Sequence, residues 1–199
     1  MHTLYDQAFN ITFKHEGGFV FDPDDPGGAT NYGVSLRWLS KAGELDLDQD
    51  GWPDGDIDHD GDIDIDDIRL LSKEDAKELF FYHWWEQFDL HLMPALTAVK
   101  TFDLSINMGP RPAFKCLQRA AKACRYDIAD DGIIGPQTRS VIHSLGRSNE
   151  QALLAALCSE AAGFYRSLIA GKPVFVKYRN GWLNRAYYRP DPHIHFIGE

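Results

Sequence analysis

Residues 4–35 read LYDQAFNITFKHEGGFVFDPDDPGGATNYGVS, and the fold turns on how this stretch divides. Leu4, Tyr5, Ala8, Phe9, Ile11 and Phe13 recur at roughly 3.6-residue period, which predicts an amphipathic helix closed where Gly17-Gly18 offers a left-handed cap. Beyond the glycines, residues 19–21 and 30–32 read as two short strands around a turn rich in Asp, Pro and Gly. The chain thus doubles back beside the end of its first helix and returns Asp25 and Thr30 towards Glu16.

The spacing of those three residues is Glu-x8-Asp-x4-Thr. Glu16 falls at the negative end of the helix dipole, and burial against Phe13 and Phe19 would act in the same direction, so both effects favour its protonated form. A protonated carboxyl is what a glycosidic oxygen needs when its bond breaks, and a second carboxylate in a wetter loop stays ionised to activate water. A lone glutamate at a helix end is more often an ordinary surface group. The adjoining glycines and the returning strand are what lift Glu16 above that background.

The stretch EGGFVFDPDDPGGATNYGVS, residues 16–35, closely resembles the glycoside hydrolase family 108 signature. Its acid-to-threonine spacing also resembles phage-type lysozymes, which carry one more residue before the threonine. A second stretch, Phe102–Gly109 followed by Asp131-Gly132-Ile133-Ile134-Gly135-Pro136-Gln137-Thr138, resembles the peptidoglycan-binding region that follows the catalytic part in that family. The resemblance implies a mainly α, lysozyme-like, two-lobed fold with a small β-hairpin after the first helix. It further implies an endolysin-type N-acetylmuramidase that cleaves the β-1,4 bond between N-acetylmuramic acid and N-acetylglucosamine, with Glu16, Asp25 and Thr30 as catalytic residues. Residues 1–93 would form the catalytic region, 94–189 a helical peptidoglycan-binding region, and 190–199 a tail. A helix after Pro94 sets Asp103 and Asn107 on one face at i, i+4 spacing, a face that in the family lines the cleft. A buried bracing role for Asp103 is weighed evenly against sugar contact. Tyr32, beside the motif, and Trp182 complete the substrate-binding candidates, since aromatic faces pack on pyranose rings.

Net charge is −10, with 20 Lys and Arg against 30 Asp and Glu. Twelve of the acids lie between Lys41 and Arg69, so the remainder is slightly basic, and from Ala95 onward cations outnumber acids. That balance suits anionic muropeptides. The cations are scattered and accompany no nucleic-acid reading motif, which argues against nucleic acid.

The acidic run has a grammar of its own. Asp56, Asp58, Asp60 and Asp67 occupy positions 1, 3, 5 and 12 of an EF-hand-type loop, with Gly61 at position 6 and Ile63 at position 8. Position 12 is Asp where Glu is usual, which resembles dockerin-type loops. Asp62 at position 7 adds a further oxygen. A preceding half, Asp46, Asp48, Asp50 and Gly51 with Asp54, overlaps it but puts Ile57 at position 12. Residues 44–71 therefore read as a calcium-binding insertion for one or two ions, because alternating hard oxygen ligands in a flexible loop suit calcium better than zinc or magnesium. No organic cofactor is expected.

No run reaches the roughly 18 apolar residues of a membrane span, and the amino terminus lacks the basic head and apolar centre of a secretory signal. The expectation is a monomer made in the cytoplasm that acts at the cell wall after release. Cys116, Cys124 and Cys158 fall in apolar helical patterns and read as free thiols. Two other functions remain open at this stage. One is a lytic transglycosylase that uses Glu16 alone, and the other is a non-catalytic wall-binding or secretion-assisting protein. His83, His91, His193 and His195 are too dispersed for a zinc amidase.

Overall fold

A computed structural model describes residues 3–13, 18–21 and 28–191. The chain is mainly α and lysozyme-like, and it divides into two compact units, Phe9–Gln87 and Met1–Ala8 with Phe88–Glu199. The first division falls inside helix α1, Thr3–Thr12.

In the unit Phe9–Gln87, a two-stranded hairpin pairs β1 (Thr30–Asn31) with β2 (Val34–Ser35), in register Thr30 to Ser35 and Asn31 to Val34. The turn between them is Tyr32-Gly33, with φ of 45° and 81°. Positive φ at both central residues is the condition of a type I′ turn, whose twist matches that of the strands. Val20 pairs with the other edge of β1, and its N–H and C=O are both bonded to Thr30 at 2.8 Å. The expected pairing of 19–21 with 30–32 thus occurs as a single bridge, and the tighter hairpin lies one turn later.

Helix α2 (Leu36–Ala42) starts from Ser35, whose hydroxyl accepts from the Trp38 N–H. Helices α3 (Ile65–Leu70) and α4 (Lys73–Phe80) both open with reciprocal capping boxes, Asp64 with Asp67 and Ser72 with Asp75. A π-helical turn, Phe81–Glu86, follows α4. It aims Trp84 at the aromatic core, where Phe13 stacks on Phe80 at 4.8 Å and Trp38 meets Trp84 at 4.8 Å. Leu39 and Ile68 close this core and are fully buried.

Asn31 fastens the hairpin to α3. Its side-chain amide donates to the carbonyls of Ile68 (2.9 Å) and Leu71 (3.0 Å), the end of a helix where carbonyls lack intrahelical partners. Asn31→Ala would strand two buried acceptors, at a cost of about 2 kcal/mol. For a chain of this size the melting temperature should fall by about 4–8 °C in a thermal denaturation scan.

In the other unit, α5 (Ala95–Met108) is buried at every residue from Leu96 to Ser105, as befits a central helix. Around it pack α6 (Pro110–Ala123), α7 (Pro136–Gly171) and α8 (Arg179–Tyr187). Tyr5 of α1 meets Phe102 edge-on at 5.6 Å. Helix α7 is interrupted at Asn149 (φ −164°), whose side chain caps the second segment by accepting from the Ala152 N–H at 3.0 Å. The helix thus runs as two segments that meet at Asn149. By length and composition α7 would span a bilayer, yet Leu153, Leu154, Leu157 and Ala161 are fully buried within the protein.

Candidate active site and acidic loop

Glu16 and Asp25 lie outside the described residues. Thr30 is described, and both of its backbone groups are bonded to Val20 while the next residue, Asn31, is anchored to the end of α3. The hairpin therefore presents Thr30 from a backbone fixed on both sides. Tyr32 sits at the turn in a left-handed conformation, half-buried. A non-glycine residue at positive φ is strained unless its surroundings hold it, and such strain concentrates at functional sites.

The acidic loop is the most built feature of this unit. It is a ten-residue repeat in backbone as well as sequence, because Gln49 and His59 take φ of 64° and 60° and Gly51 and Gly61 take 99° and 98°. In each half the first carboxylate accepts from the glycine N–H, Asp46 from Gly51 at 3.2 Å and Asp56 from Gly61 at 3.1 Å. Carboxylate oxygens of Asp46, Asp48 and Asp50 lie within 4.8 Å of one another, as do those of Asp56, Asp58 and Asp60. Neighbouring negative charge and loss of water push the Asp58 carboxyl upward, with burial the larger cause. For Asp62 the charge of Asp60 leads. A divalent cation would reverse the sign of these interactions, so the donor set fits calcium.

The halves differ where the loop closes. Asp67 is buried and gathers the second half, accepting from the N–H groups of Ile57 (2.7 Å) and Asp64 (2.6 Å). The first half has no such residue. Its Asp54 instead accepts from the Leu47 N–H at 2.9 Å and meets buried His83 Nε2 at 2.7 Å. Burial, partly offset by Asp54, holds His83 below its ordinary pKa. The first half leaves and rejoins the unit where Gly43 and Gly55 pack backbone to backbone, with Gly55 N–H donating to the Gly43 carbonyl at 2.9 Å.

The remaining sequence candidates lie in the other unit. Asp103 is buried, with one oxygen 2.5 Å from Arg185 Nη1 and the other 3.8 Å from Lys100 Nζ. Lys100 is fully buried, its pKa lowered chiefly by that burial, and it donates to the Arg185 carbonyl. Asp103 therefore braces α8 on α5. Asn107 is exposed and accepts from the Tyr165 hydroxyl at 2.7 Å. Trp182 stacks between Tyr165 (5.2 Å) and Tyr178 (5.4 Å), which leaves it half-buried. The bracing residues Asn31, His83, Lys100 and Arg185 gave no signal in the sequence, since their partners are distant along the chain.

Comparison with known proteins identifies the class. A family model described as Glycosyl hydrolase 108 matches residues 9–109, and one described as Predicted Peptidoglycan domain matches residues 112–187. The protein is a glycoside hydrolase that acts on peptidoglycan. It belongs to the glycosyl hydrolase 108 family. Among solved structures it is similar to Brucella abortus SagA, at 25% identity and a TM-score of 0.68, over 94% of this chain and 91% of that one. No curated protein matches it significantly.

Proposed function

We propose that this peptidoglycan hydrolase is an N-acetylmuramidase cleaving the β-1,4 bond between N-acetylmuramic acid and N-acetylglucosamine, with Glu16 as general acid. The observation that carries the reading is that the family match over residues 9–109 contains the whole Glu16-x8-Asp25-x4-Thr30 string. Glu16 gives its proton to the leaving glycosidic oxygen as the bond to the anomeric carbon breaks. Asp25 steadies the positive charge that develops there and, with Thr30, holds the water that adds to it, which favours inversion. Tyr32 supplies an aromatic face beside this group, while Asp103, Asn107 and Trp182 are the further substrate candidates. Residues 1–93 are assigned to catalysis and 94–189 to holding the wall.

Calcium belongs to the same proposal. Asp56, Asp58, Asp60, Asp62 and Asp67 would hold one ion, and Asp46, Asp48 and Asp50, aided by Asp54, a second. The ion supplies positive charge that orders the loop and takes no part in bond cleavage.

Mass spectrometry of the muropeptides released from purified wall tests the reaction. Hydrolysis gives reducing ends, so the products should carry one water more than anhydro-muramic ends. Products lighter by that water would make the protein a lytic transglycosylase.

A further inference from the structure

Along one flank of α6, Arg111, Pro112, Lys115, Cys116, Arg119 and Phe164 line an open groove of about 480 Å³. Arg111, Lys115 and Arg119 recur at i, i+4 and i+8 and so share one helix face, and no carboxylate belongs to the lining. The three cations are not equivalent. Arg119 is spent on Asp130, 2.8 Å away, and together with Lys122 it holds that carboxyl down at about 2. Glu160 also acts on Arg119. Arg111 donates its Nε to the Asp131 carbonyl at 3.3 Å and, after the Gln118 and Ile133 hydrogen bonds, helps lower the pKa of the Asp131 carboxyl, while Lys115 has no ion pair among the described residues.

Adjacent like charges on a helix are unfavourable without a counter-ion. Here they are also held in place. At Gly132 (φ 81°) a Cβ would lie 2.6 Å from Arg111 Cγ and 3.2 Å from Lys115 Cγ, so the backbone of the turn bears directly on both side-chain stems. Gln118, buried at the centre of α6, locks that turn by accepting from the Gly132 N–H (2.8 Å) and donating to Asp131 (2.8 Å) and the Ile133 carbonyl (3.0 Å). The glycine of the Asp131-Gly132 turn thus sets the position of two cations beside an aromatic wall.

We infer that this groove binds the free terminal carboxylate of a peptidoglycan stem peptide, with Arg111 and Lys115 taking the carboxylate and Phe164 the adjoining alkyl side chain. The inference rests on peptidoglycan being the substrate. A guanidinium pairs with a planar carboxylate through two parallel hydrogen bonds. A phosphate polymer would call for a continuous row of cations, and Asp130 and Glu160 oppose one at the Arg119 end.

The test titrates the full-length protein by calorimetry with a synthetic stem tetrapeptide ending in a free carboxylate, and with the same peptide ending in an amide. The acid should bind at least tenfold more tightly than the amide, and Arg111→Gln/Lys115→Gln should abolish the difference while melting within about 1 °C of wild type. Equal affinity for acid and amide, or no binding of either at millimolar peptide, overturns the inference using wild-type protein alone. So does binding of purified teichoic acid through Arg111 and Lys115 without binding of the peptide. Hydrolysis of intact sacculi is measured in parallel. If lysis persists while the peptide result fails, only the groove assignment falls, whereas absence of lysis removes the hydrolase reading itself.

Discussion

Glu16→Gln should reduce the rate of wall lysis by about 10³-fold while leaving binding to intact sacculi unchanged. A positioned general acid contributes roughly 10²–10⁴-fold, and a loss of about 10³ corresponds to about 4 kcal/mol of transition-state stabilisation. Glutamine keeps the size and hydrogen-bonding reach of the side chain but cannot give up a proton to the departing oxygen. Turbidity loss of purified peptidoglycan measures the rate, and co-sedimentation measures the binding. If wild type and variant both bind without lysing, the pocket is not catalytic and the chain is a wall-binding protein. If both lyse equally, the acid lies elsewhere.

Calcium should stabilise the protein, and chelation with EDTA should lower the melting temperature by about 5–10 °C. An ion present at 100 times its dissociation constant adds about 2.7 kcal/mol, and a chain of this length shifts by about 2–4 °C per kcal/mol. The double variant Asp58→Asn/Asp60→Asn should cross over with wild type, melting higher in EDTA and lower in calcium. Part of the reason is electrostatic. The charge of Asp60 is the largest cause of the raised Asp62 pKa, and it acts on Asp58 after loss of water, so both changes relieve repulsion within the loop while removing ligands. Lysis should weaken with EDTA as well, since Asp67 of the second half sits on α3, and α3 holds Asn31, the neighbour of Thr30. Identical melting and lysis with and without EDTA would remove calcium from the account.

The helices were legible because their ends are written locally. Ser35, the Ser72 and Asp75 pair, Pro94 and Pro112 each satisfy or excuse backbone donors at a helix start, and the structure begins helices within two residues of each. The acidic loop was legible for a similar reason, since its spacing carries its own turn geometry. Less visible was the Phe81–Glu86 turn, which continues an apolar helical pattern while widening it. That change depends on the packing of Trp84 against Trp38 of α2, a residue contributed by another part of the unit. Asn31 with Ile68, His83 with Asp54 and Lys100 with Arg185 were unreadable for the same cause, being 37, 29 and 85 residues apart. Asp103 shows the limit from the other side. Its position on a helix was readable, but only the fold reveals that Arg185 and Lys100 surround it.

The contact between Gly43 and Gly55 gives the first acidic half an unusual freedom. A segment whose ends meet through the Gly55-to-Gly43 and Asp54-to-Leu45 backbone hydrogen bonds, with Asp54 held on His83, closes at its base, so the length of its tip can drift over generations without dislodging its flanks. The second half has no such latitude, because Asp67 ties it into a helix that the hairpin depends upon. Natural variation in this lineage should therefore accumulate in residues 46–53 and spare Asp54 and residues 56–67.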